Sequence, residues 1–259
     1  MHTRCKHAAA VVWTLGRRVR HERTPAWQLA LQPVTLDANA ATGSPLALEF
    51  ERVGQDLTLR PLMWGKSGKW IRSGVTWDRL TSDFGGVYRV EHRDALQALR
   101  GCTDGSSFSY YSRPNELSMQ QTRRTVWAAL RDVRDAGVPM LRAGTHASVH
   151  LLDAPAHVTT QVRPASDGIE LRTGIVWPAL DDGDPPGGLG ESFVLGSPGH
   201  GVWSDGDDGL FLAPFIRPVT SRQQALLRPP GVIRVPEADV ATFALNYLPA
   251  LRRNVELHV

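Results

Sequence analysis

The pair Cys5 and His7, separated by one residue, is the first feature of this sequence that points to chemistry. A thiolate and an imidazole are zinc ligands, and a structural zinc site takes four such ligands. An apolar run over residues 8–13 follows directly and predicts a helix that would brace the site. The pattern predicts half of a zinc finger, with zinc bound only if two upstream ligands are supplied. A surface cysteine and histidine that bind nothing are the alternative.

Three histidines suggest a second kind of metal site. His146 and His150 are four positions apart, and His157 follows them. Residues four apart share a face of a helix or of a strand, so a metal site is geometrically possible. The segment has β-like sequence and lacks the glutamate base of a His-Glu-x-x-His site. A metal-dependent hydrolase that uses these three histidines is one hypothesis, and structural or surface histidines are the other.

Two further motifs predict turns. Residues 65–67, Gly-Lys-Ser, lack the upstream glycine of a phosphate-binding loop, so they predict a turn between strands. Residues 205–209 lack the alternating oxygen ligands and the downstream glutamate of a calcium loop, and they predict a hairpin turn. Neither motif supplies a catalytic residue, and we assign none.

Clusters of arginine are the candidate nucleic-acid contacts. Arginine can bind a phosphate through two parallel hydrogen bonds, and the chain has only three lysines against 29 basic residues in total. The net charge of +3 is only mildly basic, so solvated helix faces are the alternative. The candidates are Arg17, Arg18, Arg20, Arg123, Arg124, Arg252 and Arg253.

The hydrophobic pattern predicts the elements that would position these residues. Alternating apolar residues predict strands, which are expected over 46–53, 57–64, 70–71, 75–77, 149–152, 157–162 and 169–176. Helical spacing predicts a helix over 91–100, and Ser118 with Gln121 forms a capping-box pattern before a helical stripe that ends at Gly137. The last helix is expected to start at Pro236 and to carry an apolar stripe from Val240 to Leu251.

These elements predict an α+β fold, an antiparallel platform of β-hairpins with several flanking helices. With 259 residues and 42% hydrophobic content, the chain can bury a substantial core. Three parts are expected: a zinc-finger-like remnant with a helical segment over 1–33, an α+β domain over 43–180, and a hairpin plus helix over 191–259. The Asp-, Pro- and Gly-rich stretch 181–190 is the candidate boundary.

The compartment is predicted from cysteine content and hydropathy. Cys5 and Cys102 are the only cysteines, which favours a reducing compartment although the two could pair. No apolar run approaches the roughly 20 residues that span a bilayer, so no membrane contact is expected. We predict a cytoplasmic protein.

Several segments resemble the region that precedes the motor in actinobacterial Swi/Snf-type helicases. Residues 4–8 are similar to the second half of a SWIM-type zinc finger, whose pattern is Cys-x-Cys and then Cys-x-His. The other similar segments are 46–62, 65–70, 74–77, 195–201, 210–214, 231–236 and 246–253, with Phe243. The first Cys-x-Cys and both motor lobes with their Walker motifs are absent from this sequence. Only Cys5 and His7 therefore match ligands of the family.

The resemblance implies a non-catalytic accessory region, next to a DNA-dependent ATPase, with DNA and the motor domain as partners. It implies no catalytic residue in this chain. The hydrolase described above is one alternative. A stand-alone protein-interaction module, with an uncovered apolar patch on the helix from Val240 to Leu251, is another.

Overall fold

The computed structural model describes residues 43–82, 86–103, 115–179, 186–228 and 231–258. Several predictions lie outside these residues: the zinc ligands Cys5 and His7, the remnant over 1–33, and the arginines Arg17, Arg18 and Arg20. So does part of the 181–190 stretch. Residues Ser44–Val259 group as one compact unit.

The described residues confirm the α+β fold. Their strands are β1 Leu46–Val53, β2 Asp56–Trp64, β3 Trp70–Ile71, β4 Leu117–Ser118, β5 Met140–Arg142, β6 Val149–Leu151, β7 His157–Ala165, β8 Gly168–Val176, β9 Ser192–Leu195, β10 Gly199–Gly206, β11 Gly209–Val219, β12 Val232–Pro236 and β13 Glu256–His258. Their α-helices are α1 Trp77–Thr81, α2 Val90–Arg100, α3 Val126–Asp135, α4 Ser221–Leu227, α5 Val240–Thr242 and α6 Leu248–Asn254.

The strands form three sheets, each with one or more antiparallel hairpins. The first has the order β3-β2-β1-β5, and β4 also pairs with β2. The second has the order β6-β11-β10-β9, and the third has the order β12-β8-β7-β13. The hairpins β1–β2, β7–β8 and β10–β11 each join strands that are adjacent in sequence, as the alternating pattern predicts.

The predicted turns are confirmed. Gly54 has a φ of 65° in the β1–β2 turn, a left-handed conformation that glycine adopts without steric cost. The Gly-Lys-Ser motif lies in the turn between β2 and β3, and the 205–209 motif spans the turn between β10 and β11. Gly137, with a φ of 77°, follows the end of α3 as predicted.

Two local predictions are wrong. The segment predicted as a strand over 75–77 leads into α1, which begins at Trp77, because the Thr76 hydroxyl accepts a hydrogen bond from the amide of Arg79 and caps that helix. The capping box at Ser118 and Gln121 does not form, since Ser118 is in β4 and its hydroxyl donates to Asp56 instead. Helix α3 begins later, at Val126.

One hydrophobic core joins the first sheet, the second sheet and the helices α2 and α3. Leu48 of β1, Leu96 of α2 and Leu130 of α3 are all fully buried in it. Phe193 and Trp203, from β9 and β10, belong to the same core. The core therefore crosses the boundary predicted between 43–180 and 191–259.

The last helical stretch connects the two edge strands of the third sheet. Residues 237–254 contain a short 3-10 turn, α5, a π-helical turn over Phe243–Tyr247, and α6. Pro236 ends β12, so it precedes this stretch. No residue of the 237–254 helix is fully buried, although its apolar stripe was predicted from sequence.

Candidate nucleic-acid interface

Three arginines from neighbouring strands share one face of the third sheet. Arg163 of β7 lies directly opposite Glu170 of β8, and Arg234 of β12 lies opposite the same glutamate. Arg172, two residues after Glu170, points to the same side because side chains alternate along a strand. We call this set the sheet-face arginines: Arg163, Arg172 and Arg234.

Their positions are fixed by polar contacts within the sheet. The carboxylate of Glu170 accepts from Arg172 Nε at 2.5 Å and pairs with Arg234 Nε at 3.5 Å. The hydrogen bond from Arg172 lowers the pKa of Glu170, so this carboxylate stays ionised. Arg163 Nη2 donates to Gln161 Oε1 at 2.6 Å. One carboxylate therefore serves two of the three arginines. Glu256 of β13 lies opposite Thr159 on the same face, so three arginines stand against two carboxylates and one positive charge is in excess.

The sheet-face arginines are open to solvent. The side chain of Arg234 is 73% exposed and that of Arg172 is 58% exposed. Each guanidinium has five N–H donors, of which the contacts above use only some. Acidic Asp167, in the β7–β8 turn, and Glu237, after β12, lie beyond the end of this arginine row.

A second basic feature is a groove of about 330 Å³ beside helix α3. Arg124, Ala128 and Arg131 line it. Pro214 and Ile216, both within β11, line it as well. Arg124 was predicted from sequence as a nucleic-acid contact, and the structure places it in this groove.

One residue that lines the groove, Trp127, belongs to a buried cluster of polar contacts. Trp127, which lines the groove, is 3% exposed, and its Nε1 donates at 3.0 Å both to Nδ1 and to the carbonyl oxygen of His200. His200 Nε2 lies 3.3 Å from the hydroxyl of Thr122, which donates to the carbonyl of Met119 at 2.8 Å. Burial lowers the pKa of His200, which keeps its ring neutral and able to accept from Trp127.

The three histidines of the predicted hydrolase have separate surroundings. His146 lies in the turn after β5 with a φ of 56°. His150, on β6, stacks on Phe211 with ring centroids 4.7 Å apart. His157 begins β7, where its Nε2 is 4.0 Å from Glu256. Within the described ranges, no group of three or more His, Cys, Asp or Glu side chains is placed to hold a metal ion.

The other predicted arginines are at the surface. Arg123 is exposed just before α3, and Arg252 and Arg253 are exposed in the last turn of α6. Positive side chains at that position complement the negative end of the helix dipole. This helix-capping role is sufficient to explain the Arg252–Arg253 pair, and its contact with nucleic acid stays a prediction.

Sequence analysis missed the sheet-face arginines and Arg131. The predicted contacts are arginines close together in sequence, whereas Arg163, Arg172 and Arg234 are 9 to 71 positions apart. The available signal was the alternation in β7 and β8, which places Arg163 and Arg172 at strand positions where polar residues alternate with apolar ones. The pairing of β12 with β8 could not be deduced from that pattern.

Comparison with known proteins gives no relative: no family model, no curated protein and no solved structure matches this chain. Across the described residues, no helix is both long and apolar enough to cross a bilayer.

Proposed function

We propose that this chain is a non-catalytic accessory module that binds nucleic acid through the phosphate backbone. The observation that supports it best is the row of sheet-face arginines, three guanidinium groups on one face of the sheet, against which the same face carries two carboxylates, Glu170 and Glu256. Arginine is suited to bidentate phosphate contacts, and an excess of positive charge attracts a polyanion.

The resemblance of the sequence to the region before a Swi/Snf-type motor supports a role beside such a motor. In that role the module would bind DNA in the cytoplasm while a motor domain hydrolyses ATP. Contacts to phosphates carry no sequence information, so the binding is expected to tolerate any sequence and to weaken steeply with salt.

The direct test is a salt titration with a fluorescent 20-nucleotide single strand. We expect wild type to bind at low salt and to show a linear fall of log K with log salt concentration. The triple variant R163Q/R172Q/R234Q removes up to three phosphate contacts, so its slope should be shallower by about 2, since each contact on a single strand contributes roughly 0.7.

A matched variant separates a local effect from a change in net charge. R79Q/R93Q/R100Q also removes three positive charges, from α1 and α2. We expect its slope to stay within about 0.7 of that of wild type. No association at the lowest salt, or equal losses in both triple variants, would contradict the proposed function.

A second candidate function is docking of a protein through the 237–254 helix, for which we propose the motor domain as partner. Leu245 is 77% exposed and Tyr247 is 64% exposed on this helix, while Ile233 on the preceding strand is 48% exposed. Large exposed apolar side chains are typical of protein contact sites.

The variant L245E tests this second function. Because Leu245 is so exposed, the free energy of unfolding should change by less than about 0.5 kcal/mol. Binding to a purified Swi/Snf-type motor domain, measured by calorimetry, should weaken at least about tenfold because a charge then enters an apolar contact. Unchanged affinity would remove the helix from the interface. The hydrolase that would use His146, His150 and His157 has no supporting contact among the described residues.

A further inference from the structure

The groove beside α3 has a charged edge on one element and an apolar wall on another. Ala128 and Arg131 are three positions apart on α3, so they lie on one side of that helix, and Arg124 lies in the turn that precedes it. Ala128 leaves space in the groove because its side chain is a single methyl group.

Arg124, which lines the groove, is held by two hydrogen bonds. Its Nη2 donates to the carbonyl oxygens of Phe215 at 3.2 Å and of Ile216 at 3.0 Å. These two bonds hold the guanidinium group against β11, and the other donors of the group remain for a ligand. A guanidinium that is already oriented loses less entropy when it binds an anion.

Arg131 also lines the groove, where a carboxylate pairs with it. Asp153 Oδ1 lies 3.3 Å from Arg131 Nε and 3.1 Å from Arg134 Nη1. Arg134 also pairs with Asp135, at 3.3 Å. The charged residues that line the groove are Arg124, Arg131 and Asp153, so the groove has one positive charge in excess.

The groove also has an apolar wall that is accessible. Ile216 is 59% exposed, and Pro155 and Pro214 line the groove beside it. A free phosphate would bind the arginines but make no contact with the apolar wall. An aliphatic ligand would contact the wall but give the arginines no anionic partner. A nucleotide has a flat base for the wall and a phosphate for a guanidinium. The volume of about 330 Å³ lies within the usual range for small-ligand sites.

We propose that this groove holds one unstacked nucleotide of a single-stranded nucleic acid, with a phosphate on Arg124 and the base against Pro155, Pro214 and Ile216. The inference rests on the proposed nucleic-acid function and deepens it by assigning a second contact and a preference for single strands. A base inside a duplex is stacked and paired, so it cannot enter the groove without being extruded. Contact with the face of the base is tolerant of sequence, because every base has one.

Filling the groove tests the proposal without changing any charge. Ala128 is exposed on α3, so the variant A128F should fold and should place a phenyl ring in the groove. We expect its affinity for a 12-nucleotide oligothymidine strand to fall about tenfold, the loss of one base contact. The salt slope should stay as in wild type, and affinity for a duplex of equal length should change less than twofold.

Two further variants keep the test decisive. A98F introduces the same ring at an exposed alanine of α2 and should bind like wild type. I216S opens the apolar wall without filling the groove, and it should also weaken single-strand binding several-fold. If A128F and I216S both bind the single strand as wild type does, the groove is not the site, although the proposed function stands. If wild type binds neither strand nor duplex, both proposals fail.

Discussion

At the scale of single residues, two buried histidines have structural roles that the sequence did not reveal. His200 receives the indole N–H of Trp127, and His92 Nδ1 lies 3.1 Å from the backbone amide of Leu46. Burial is the largest cause that lowers the pKa of each histidine below its ordinary 6.5. Both rings are therefore neutral in the folded protein at neutral pH.

This arrangement predicts that stability decreases in mild acid. The unfolded chain protonates both histidines near pH 6.5, whereas the folded chain does so only at lower pH. Between these pKa values the unfolded state binds more protons than the folded state. The free energy of unfolding is therefore largest above pH 6.5 and falls as the pH decreases from 6.5 toward the folded pKa values. Each histidine can contribute at most about 1.4 kcal/mol per pH unit.

Urea unfolding between pH 7.5 and 5.5 measures this effect, and the imidazole resonances of His92 and His200 identify its source. Those resonances should stay in the neutral position below pH 6.5, while the free energy of unfolding declines. Stability that is constant or rises on acidification would show that the two rings are not held neutral.

The residue scale is also where prediction from sequence was weakest. Ser118 with Gln121 satisfies the pattern of a capping box, yet Ser118 bonds to Asp56, and the amide of Gln120 donates to the same carboxylate at 3.1 Å. Asp56 is 62 positions from Ser118. A local pattern cannot reveal a competitor that only the fold brings near.

At the scale of elements, the contact between α3 and β10 depends on a glycine. A Cβ atom at Gly201 would lie 1.8 Å from Cζ2 of Trp127 and 2.8 Å from the carbonyl oxygen of Ala213. No such atom fits without moving the indole or the neighbouring strand, because protein interiors are close-packed. Glycine here permits the helix to approach the sheet closely enough for Trp127 to bond to His200.

The substitution G201A should therefore destabilise the protein by about 1–3 kcal/mol, the usual cost of overpacking. It should also shift the fluorescence of Trp127 if the indole moves. G174A is the matched control, since a Cβ atom at Gly174 in β8 meets nothing within 4 Å. Chemical denaturation of both variants checks the prediction, and equal stabilities would show that α3 and β10 are not so closely packed.

Elements were predicted well where the pattern is repeated and locally determined. The hairpins β1–β2 and β7–β8 followed from alternation over eight or nine residues with a glycine in or beside each turn. The segment 75–77 is too short for alternation to decide, and the N-cap at Thr76 determines the helix instead. The order of strands in the third sheet depends on long-range pairing, which no periodicity encodes.

At the scale of the whole molecule, the distribution of charge matters more than its sum. A net charge of +3 over 259 residues indicates no particular partner. The third sheet nevertheless gathers Arg163, Arg172 and Arg234 on one face, because β7, β8 and β12 are neighbours in it. The fold thus brings together arginines that are far apart in sequence. Of the arginines on this face and in the groove, only Arg124 belongs to a cluster that is visible in the sequence.

Replacing the sheet-face arginines with lysines separates charge from geometry. In R163K/R172K/R234K the number of positive charges is unchanged, so the same number of counterions is released and the salt slope should equal that of wild type. Lysine is a point charge that cannot form two parallel bonds to one phosphate, so affinity for the 20-nucleotide strand should fall by roughly threefold to tenfold. Fluorescence anisotropy at several salt concentrations gives both quantities from one set of titrations.

A shallower slope would mean that the lysines no longer reach the backbone. An unchanged affinity would mean that the paired geometry of the guanidinium groups is irrelevant, and that the sheet acts only as a diffuse positive surface.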